Sequence, residues 1–204
     1  MLFRSAEVIR ERLAGAVPRS FLAASALPGS RRAVECELSR LTAEGEVVRV
    51  RKGLYWKGPK TRFGMGAPRA GDVALEVGGR GSGPAELAAA HMLGLTTQVP
   101  SVPVIAVPGR APKPVPGTRF VSRSIERRIG GLRPVEVAVL EVLRSGPVIV
   151  EKPWTEFAAI VSRLAAAGEV RIQALAAQVG EEHHVATRER WAELAGALGV
   201  SVAR

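Results

Sequence analysis

Few side chains in this 204-residue chain could do chemistry on a bound molecule, and those few are scattered. The sequence holds a single aspartate, Asp72, three histidines, His91, His183 and His184, and a single cysteine, Cys36. Two-metal nucleases, polymerases and nucleotidyltransferases hold their divalent ions with clustered carboxylates, a supply that is missing here. Adjacent His183 and His184 would aim their rings in different directions instead of chelating one ion, and His91 reads as a packed residue of an apolar helix. Cys36 has no histidine near it in sequence, and one cysteine excludes an internal disulfide and fits a reducing compartment. Glu151-Lys152 after Val-Ile-Val resembles the end of a nuclease E-x-K motif, but the intervening residue and a preceding aspartate are absent. The glycines from Gly78 to Gly83 are followed by no Gly-Lys-Ser/Thr and complete no G-x-G-x-x-G. The expectation is therefore no catalytic centre, no metal and no cofactor.

What the chain does offer is positive charge, unevenly spread. Residues 1–64 carry 13 Lys/Arg against 6 acids, residues 65–130 carry 8 against 4, and residues 131–204 carry 8 against 9. A basic front and a neutral rear point to a polyanion met by the front. Within that front, GEVVRVRKGLYWK at 45–57 strings Arg49, Arg51, Lys52 and Lys57 among valines and ends on aromatics, with no acid after Glu46.

Elements must position those cations. Residues 5–14 read as a helix with Ser5 as N-cap and Val8, Ile9 and Leu13 on one side; residues 19–27 read as a second short helix, stopped by Pro28-Gly29. Ser30 caps a third, running to about Glu44, whose Val34, Leu38 and Leu41 recur at i, i+4 and i+7 as the buried stripe. Opposite that stripe lie Arg32, Cys36, Ser39 and Arg40, with Arg31 and Glu35 on the flank. The period then falls to two: Val48 and Val50 alternate with Arg49 and Arg51, and Lys52-Gly53 turns the chain into Leu54-Tyr55-Trp56-Lys57. Three helices and a basic hairpin make the winged form of a helix-turn-helix. In that frame Ser30, Arg31, Arg32, Ser39, Arg40, Arg49, Arg51, Lys52, Tyr55 and Lys57 are the candidate DNA-facing residues, with Leu54 and Trp56 as core anchors of the wing.

Residues 59–72 are rich in Gly, Pro and cations and read as a linker, which gives an N-terminal module over 1–62 and a second over 72–204. In the second, 73–77 reads as a short strand and 84–93 as a helix with Gly83, Pro84 and Glu86 at N-cap, N1 and N3. Residues 102–107 and 118–122 read as strands around GRAPKPVPG, folding back as a long hairpin. Arg119, Arg123, Arg127 and Arg128 either extend the basic surface or form a solvated rim. Helices at 134–144, 154–167, 171–179 and 185–198 close the chain. The fold class expected is α+β, a winged helix-turn-helix followed by a mixed α/β domain with a helical tail.

Two passages, LSRLTAEGEVVRVRKGLYW at 38–56 and GSGPAELAAAHMLGLTTQVP at 81–100 followed by VIAVPGR and RFVSRS, resemble the AbiEi-like antitoxins of AbiE-type toxin-antitoxin operons. The resemblance covers roughly residues 5–145 and does not reach the helical tail. It implies an autorepressor that binds inverted repeats in duplex operator DNA and opposes a nucleotidyltransferase toxin encoded beside it. The alternatives are a protein-interaction module that sequesters a toxin without reading DNA, and a plain transcriptional regulator. With no signal-peptide pattern and no long uncharged apolar window, the expected setting is cytoplasmic, away from membranes.

Overall fold

A computed structural model describes residues 2–200, with side chains from Ala6 onward. It is an α+β protein whose chain falls into two units, Met1–Arg69 and Ala70–Arg204.

The first unit runs α1 (Leu2–Ala14), β1 (Ser20–Ala23), a 3-10 turn (Ala24–Ala26), α2 (Arg31–Ala43), β2 (Val48–Arg51), β3 (Leu54–Lys57), β4 (Lys60–Thr61) and β5 (Gly64–Met65). Helix α1 starts before Ser5, so Ser5 is not its N-cap, and the Ser5 side chain lies outside the described residues. Ile9 and Leu13 are buried one turn apart, while Val8 is exposed. The helix expected at 19–27 is instead strand β1 followed by a single 3-10 turn. Strand pairing wins because Phe21 and Leu22 then serve opposite faces of a sheet. β1 lies antiparallel beside β3, Phe21 opposite Trp56 and Leu22 opposite Tyr55, and β2 flanks β3 on the other side. Phe21 and Trp56 meet with their rings tilted by 51° and centroids 4.7 Å apart, and the Trp56 indole donates to Gly66 O at 2.8 Å. That bond draws the β4–β5 hairpin, formed within the expected linker, over this face of the sheet. Gly58 makes the approach feasible, since a Cβ there would stand 2.2 Å from Gly66 O. The opposite face, with Leu22 and Tyr55, closes on α1 and α2 through Ile9, Leu13, Val34, Leu38, Leu41 and Val47.

In the second unit, α3 (Ala70–Gly78) precedes β6 (Gly83–Ala85), α4 (Leu87–Met92), β7 (Val104–Pro108), β8 (Arg119–Arg123), α5 (Glu126–Gly130) and α6 (Pro134–Ser145). A 3-10 turn (Pro147–Ile149), α7 (Trp154–Ala166), α8 (Ile172–Gly180) and α9 (Val185–Ala197) complete it. Residues 73–77 are therefore helical, and the helix expected from Pro84 begins only at Leu87, because Gly83–Ala85 pairs with Val104–Ala106. Glu86 sits between that strand and α4 at φ 53, ψ −137, a backbone conformation that side chains rarely adopt. β7 and β8 pair in parallel rather than as a hairpin. Helix α6 runs through the middle of the core, buried on every side from Glu136 to Leu143, and α7, α8 and α9 pack around it. No helix among the described residues is long and apolar enough to cross a membrane.

Candidate nucleic-acid interface

Helix α2 carries most of the candidate residues, and its ends are well specified. Ser30, in extended geometry at φ −69, ψ 147, accepts the Ala33 amide through its hydroxyl at 3.3 Å, a cap whose loss costs about 1 kcal/mol. Gly45 follows at φ 72. Val34, Leu38 and Leu41 are buried, together with Glu37. Arg31, Arg32, Glu35, Cys36, Ser39 and Arg40 remain exposed along the outer ridge.

That ridge divides two grooves. One, of 1260 Å³, runs between α2 and the β2–β3 hairpin, with Arg31, Glu35 and Ser39 on the helix wall and Arg49, Lys52 and Tyr55 on the hairpin wall. The other, of 960 Å³, lies between α2 and α1 and takes Arg32, Cys36 and Arg40 opposite Glu7 and Arg10. The structure thus gathers Arg31, Ser39, Arg49 and Lys52, and places Arg32 and Arg40 across the ridge from them.

The hairpin turns at Lys52-Gly53 with Gly53 at φ 78, where a side chain would be strained. Its cations do not share one face. A register shift between Arg49 and Arg51 sets Arg49 opposite Tyr55, on the helix side, and Arg51 opposite Leu54, on the other. The expected alternation, with both arginines outward together, is corrected by this bulge.

Two further candidates are corrected by their surroundings. Tyr55 is buried within the α1–α2 core, so it backs the groove and offers no free ring. The Lys57 ammonium donates to Leu13 O, to Ala16 O at 2.8 Å and to Ala14 O at 3.2 Å. It closes the carbonyl end of α1, where the helix dipole favours a cation, and is spent on the fold. Arg40 is also engaged: its Nη2 donates to Glu37 Oε1 at 2.6 Å, and its Nε stands 3.7 Å from Glu44. Glu37 also accepts from Arg10 Nε at 2.8 Å, pinning α1 to α2.

Arg32, Arg49, Arg51 and Lys52 have no carboxylate partner within 4.0 Å among the described residues. Arg31 donates from Nε to Glu35 Oε1 at 2.9 Å. That bond, with the charges of Lys52 and Arg49 across the groove, holds the Glu35 carboxyl below the usual carboxylate range. Sequence reasoning left Glu35 on the flank of the helix and gave it no role. Its spacing of four from both Arg31 and Ser39 was the available signal.

Outside the two grooves the chemically capable side chains are dispersed or engaged with neighbours. Among the described residues no group of three or more His, Cys, Asp and Glu side chains comes together. His91 is exposed instead of packed, and His184 shares a 2.9 Å hydrogen bond with Thr187. Glu151 binds the 96–98 loop, accepting from Thr97 N at 2.7 Å, Thr97 Oγ1 at 3.0 Å and Gln98 Nε2 at 2.8 Å. These bonds, the Thr97 amide foremost, pull its carboxyl down to about 2. Of the arginines from 119 to 128, Arg119, Arg123 and Arg127 are paired with acids, and Arg128 donates to Pro108 O at 3.1 Å. Arg119 pairs with Glu86 at 2.7 Å, and Arg123 grips both oxygens of Glu141. Fully buried Arg127 bridges Glu141 at 2.6 Å and Glu182 at 2.7 Å. Burial pushes the Glu141 carboxyl up, but the Arg123 hydrogen bond and the Arg127 charge outweigh it and keep it ionised.

No family model matches the chain, and no curated protein sequence matches it. A solved structure described as the crystal structure of the RV2827C protein from Mycobacterium tuberculosis is similar at 15% identity, covering 97% of this chain and 78% of that one, with a TM-score of 0.45.

Proposed function

We propose that the first unit binds duplex DNA in the manner of a winged helix-turn-helix, with α2 in the major groove and the β2–β3 hairpin as the wing. The observation that carries this reading is the groove between them, where Arg31, Arg49 and Lys52 face a single acid. Arg32 and Arg51 extend the basic surface on either side. The first helix of the motif is reduced to one 3-10 turn, and the Pro28-Gly29 turn and capped α2 supply the rest.

Wing cations hold phosphates and α2 reads bases. Three phosphate contacts, from Arg49, Arg51 and Lys52, give a slope of log K against log salt of about −2.7. The resemblance to AbiEi-like antitoxins extends the proposal: the chain represses its own operon and counteracts a nucleotidyltransferase toxin encoded beside it.

The test is fluorescence anisotropy with the DNA upstream of the gene and a scrambled duplex at two salt concentrations. Preference for the upstream DNA, with Lys52→Ala reducing the slope by about one unit on both duplexes, supports the reading. Equal affinity of the wild-type chain for both duplexes, together with co-purification of the neighbouring gene product, overturns it in favour of toxin sequestration.

A further inference from the structure

Glu35 is out of place in a surface built to hold phosphates. It is the one acid among the side chains lining the α2–hairpin groove, facing Arg31, Arg49 and Lys52. It does no packing, its side chain being 54% exposed, and it caps no helix end. An exposed i,i+4 pair with Arg31 contributes little to helix stability. Against a phosphate backbone its charge is repulsive, so in a purely electrostatic clamp it is a liability.

We infer that Glu35 is a specificity-determining residue of the DNA interface, its carboxylate accepting the N4 amino group of a cytosine in the major groove. The inference rests on the DNA-binding reading above and deepens it. The chemistry selects the base: a carboxylate only accepts, and the donors on major-groove edges are cytosine N4 and adenine N6. Adenine carries the N7 acceptor beside its amino group, which repels a carboxylate; cytosine carries no acceptor there. Arg31 Nε holds Oε1, leaving Oε2 free to meet the base. The cations around the carboxylate keep it ionised, and therefore an acceptor, throughout the neutral range. The same charge penalises phosphate-only encounters, so it trades general affinity for selectivity.

The experiment is selection from a randomised duplex library, sequenced for the wild-type chain and Glu35→Gln. Wild type enriches a motif containing a cytosine column, favoured about ten- to a hundred-fold over the other bases. Glu35→Gln, whose amide both donates and accepts, shifts that column towards adenine and binds scrambled DNA more tightly. A wild-type motif unchanged in Glu35→Gln overturns the inference and leaves DNA binding intact. Loss of the column in Glu35→Gln with no shift towards adenine also overturns it, reducing Glu35 to a support for an Arg31 contact with the paired guanine. No motif enriched by the wild-type chain overturns DNA reading and inference together.

Discussion

Replacing Lys57 with methionine separates a cation that builds the fold from the cations proposed to meet DNA. The ammonium donates to Leu13 O, Ala14 O and Ala16 O, carbonyls at or just past the end of α1, the first of which also accepts the Ala16 amide at 3.2 Å. A hydrogen bond to a charged donor contributes about 1.5–3 kcal/mol when buried. Lys57 is half-buried and water reaches the Ala14 carbonyl, so the three together are worth about 1–2 kcal/mol. In a unit of this size that lowers the unfolding temperature by roughly 7–14 °C. Amide exchange read by mass spectrometry should show protection falling first in the peptides of α1 and β3. The salt slope for DNA should stay at its wild-type value. A Lys57→Met chain that keeps its exchange protection yet loses about one unit of salt slope would refute the reasoning and return Lys57 to the interface.

Three further outcomes are expected. Glu141→Gln removes the charge that Arg123 and Arg127 share, leaving Arg127 paired with Glu182 and Arg123 with no carboxylate, and should destabilise the second unit by about 3–5 kcal/mol in urea unfolding, with no change in DNA affinity; a loss under about 1 kcal/mol would contradict it. Glu151 has a folded-state value near 2, below its unfolded one, so its bonds stabilise the 96–98 loop fully above the ordinary carboxylate range and are lost as pH falls towards 2. Exchange of the Thr97 amide, corrected for its intrinsic pH dependence, should rise over that window in the wild type and be fast at all pH values in Glu151→Ala. Glu86→Gly relieves a strained backbone worth about 1–3 kcal/mol and gives up an exposed ion pair with Arg119 worth less than about 1 kcal/mol, so it should raise the unfolding temperature slightly.

Helix α2 and the hairpin after it were legible because several signals agreed there: the Ser30 cap, the Val34-Leu38-Leu41 stripe, Gly45, then alternation and Gly53. The four C-terminal helices were legible from their stripes alone, to within a residue or two at each end. Short segments were not. Residues 19–27 and 73–77 fit either period, and partners distant in sequence decided between them: β3 for the first, the sheet of the second unit for the other. The parallel pairing of β7 with β8 was hidden by the loop at 109–118. Pro112, Pro114 and Pro116 favour an extended chain of about 3.1 Å per residue, giving a reach of roughly 30 Å, so the loop can run back along a strand of about 17 Å without a helix. Within the candidate site, charge was legible but its engagement was not. No spacing rule announced that Lys57 would turn towards α1 or that a bulge would part Arg49 from Arg51; the hold of Glu37 on Arg40, three residues along the helix, stood at pairing distance in the sequence.

Trp56 gives the first unit its own optical reporter. It is the one tryptophan in residues 1–69, the others being Trp154 and Trp191. Its indole is buried against Phe21 and bonded to Gly66, on the face of the sheet turned away from the α2–hairpin groove. With Trp154 and Trp191 replaced by phenylalanine, emission from Trp56 should shift to the red when the unit melts and stay unchanged when the groove fills. With the anisotropy of a labelled duplex as the second reporter, folding and occupancy of the same small unit can then be followed as two separate signals in one cuvette.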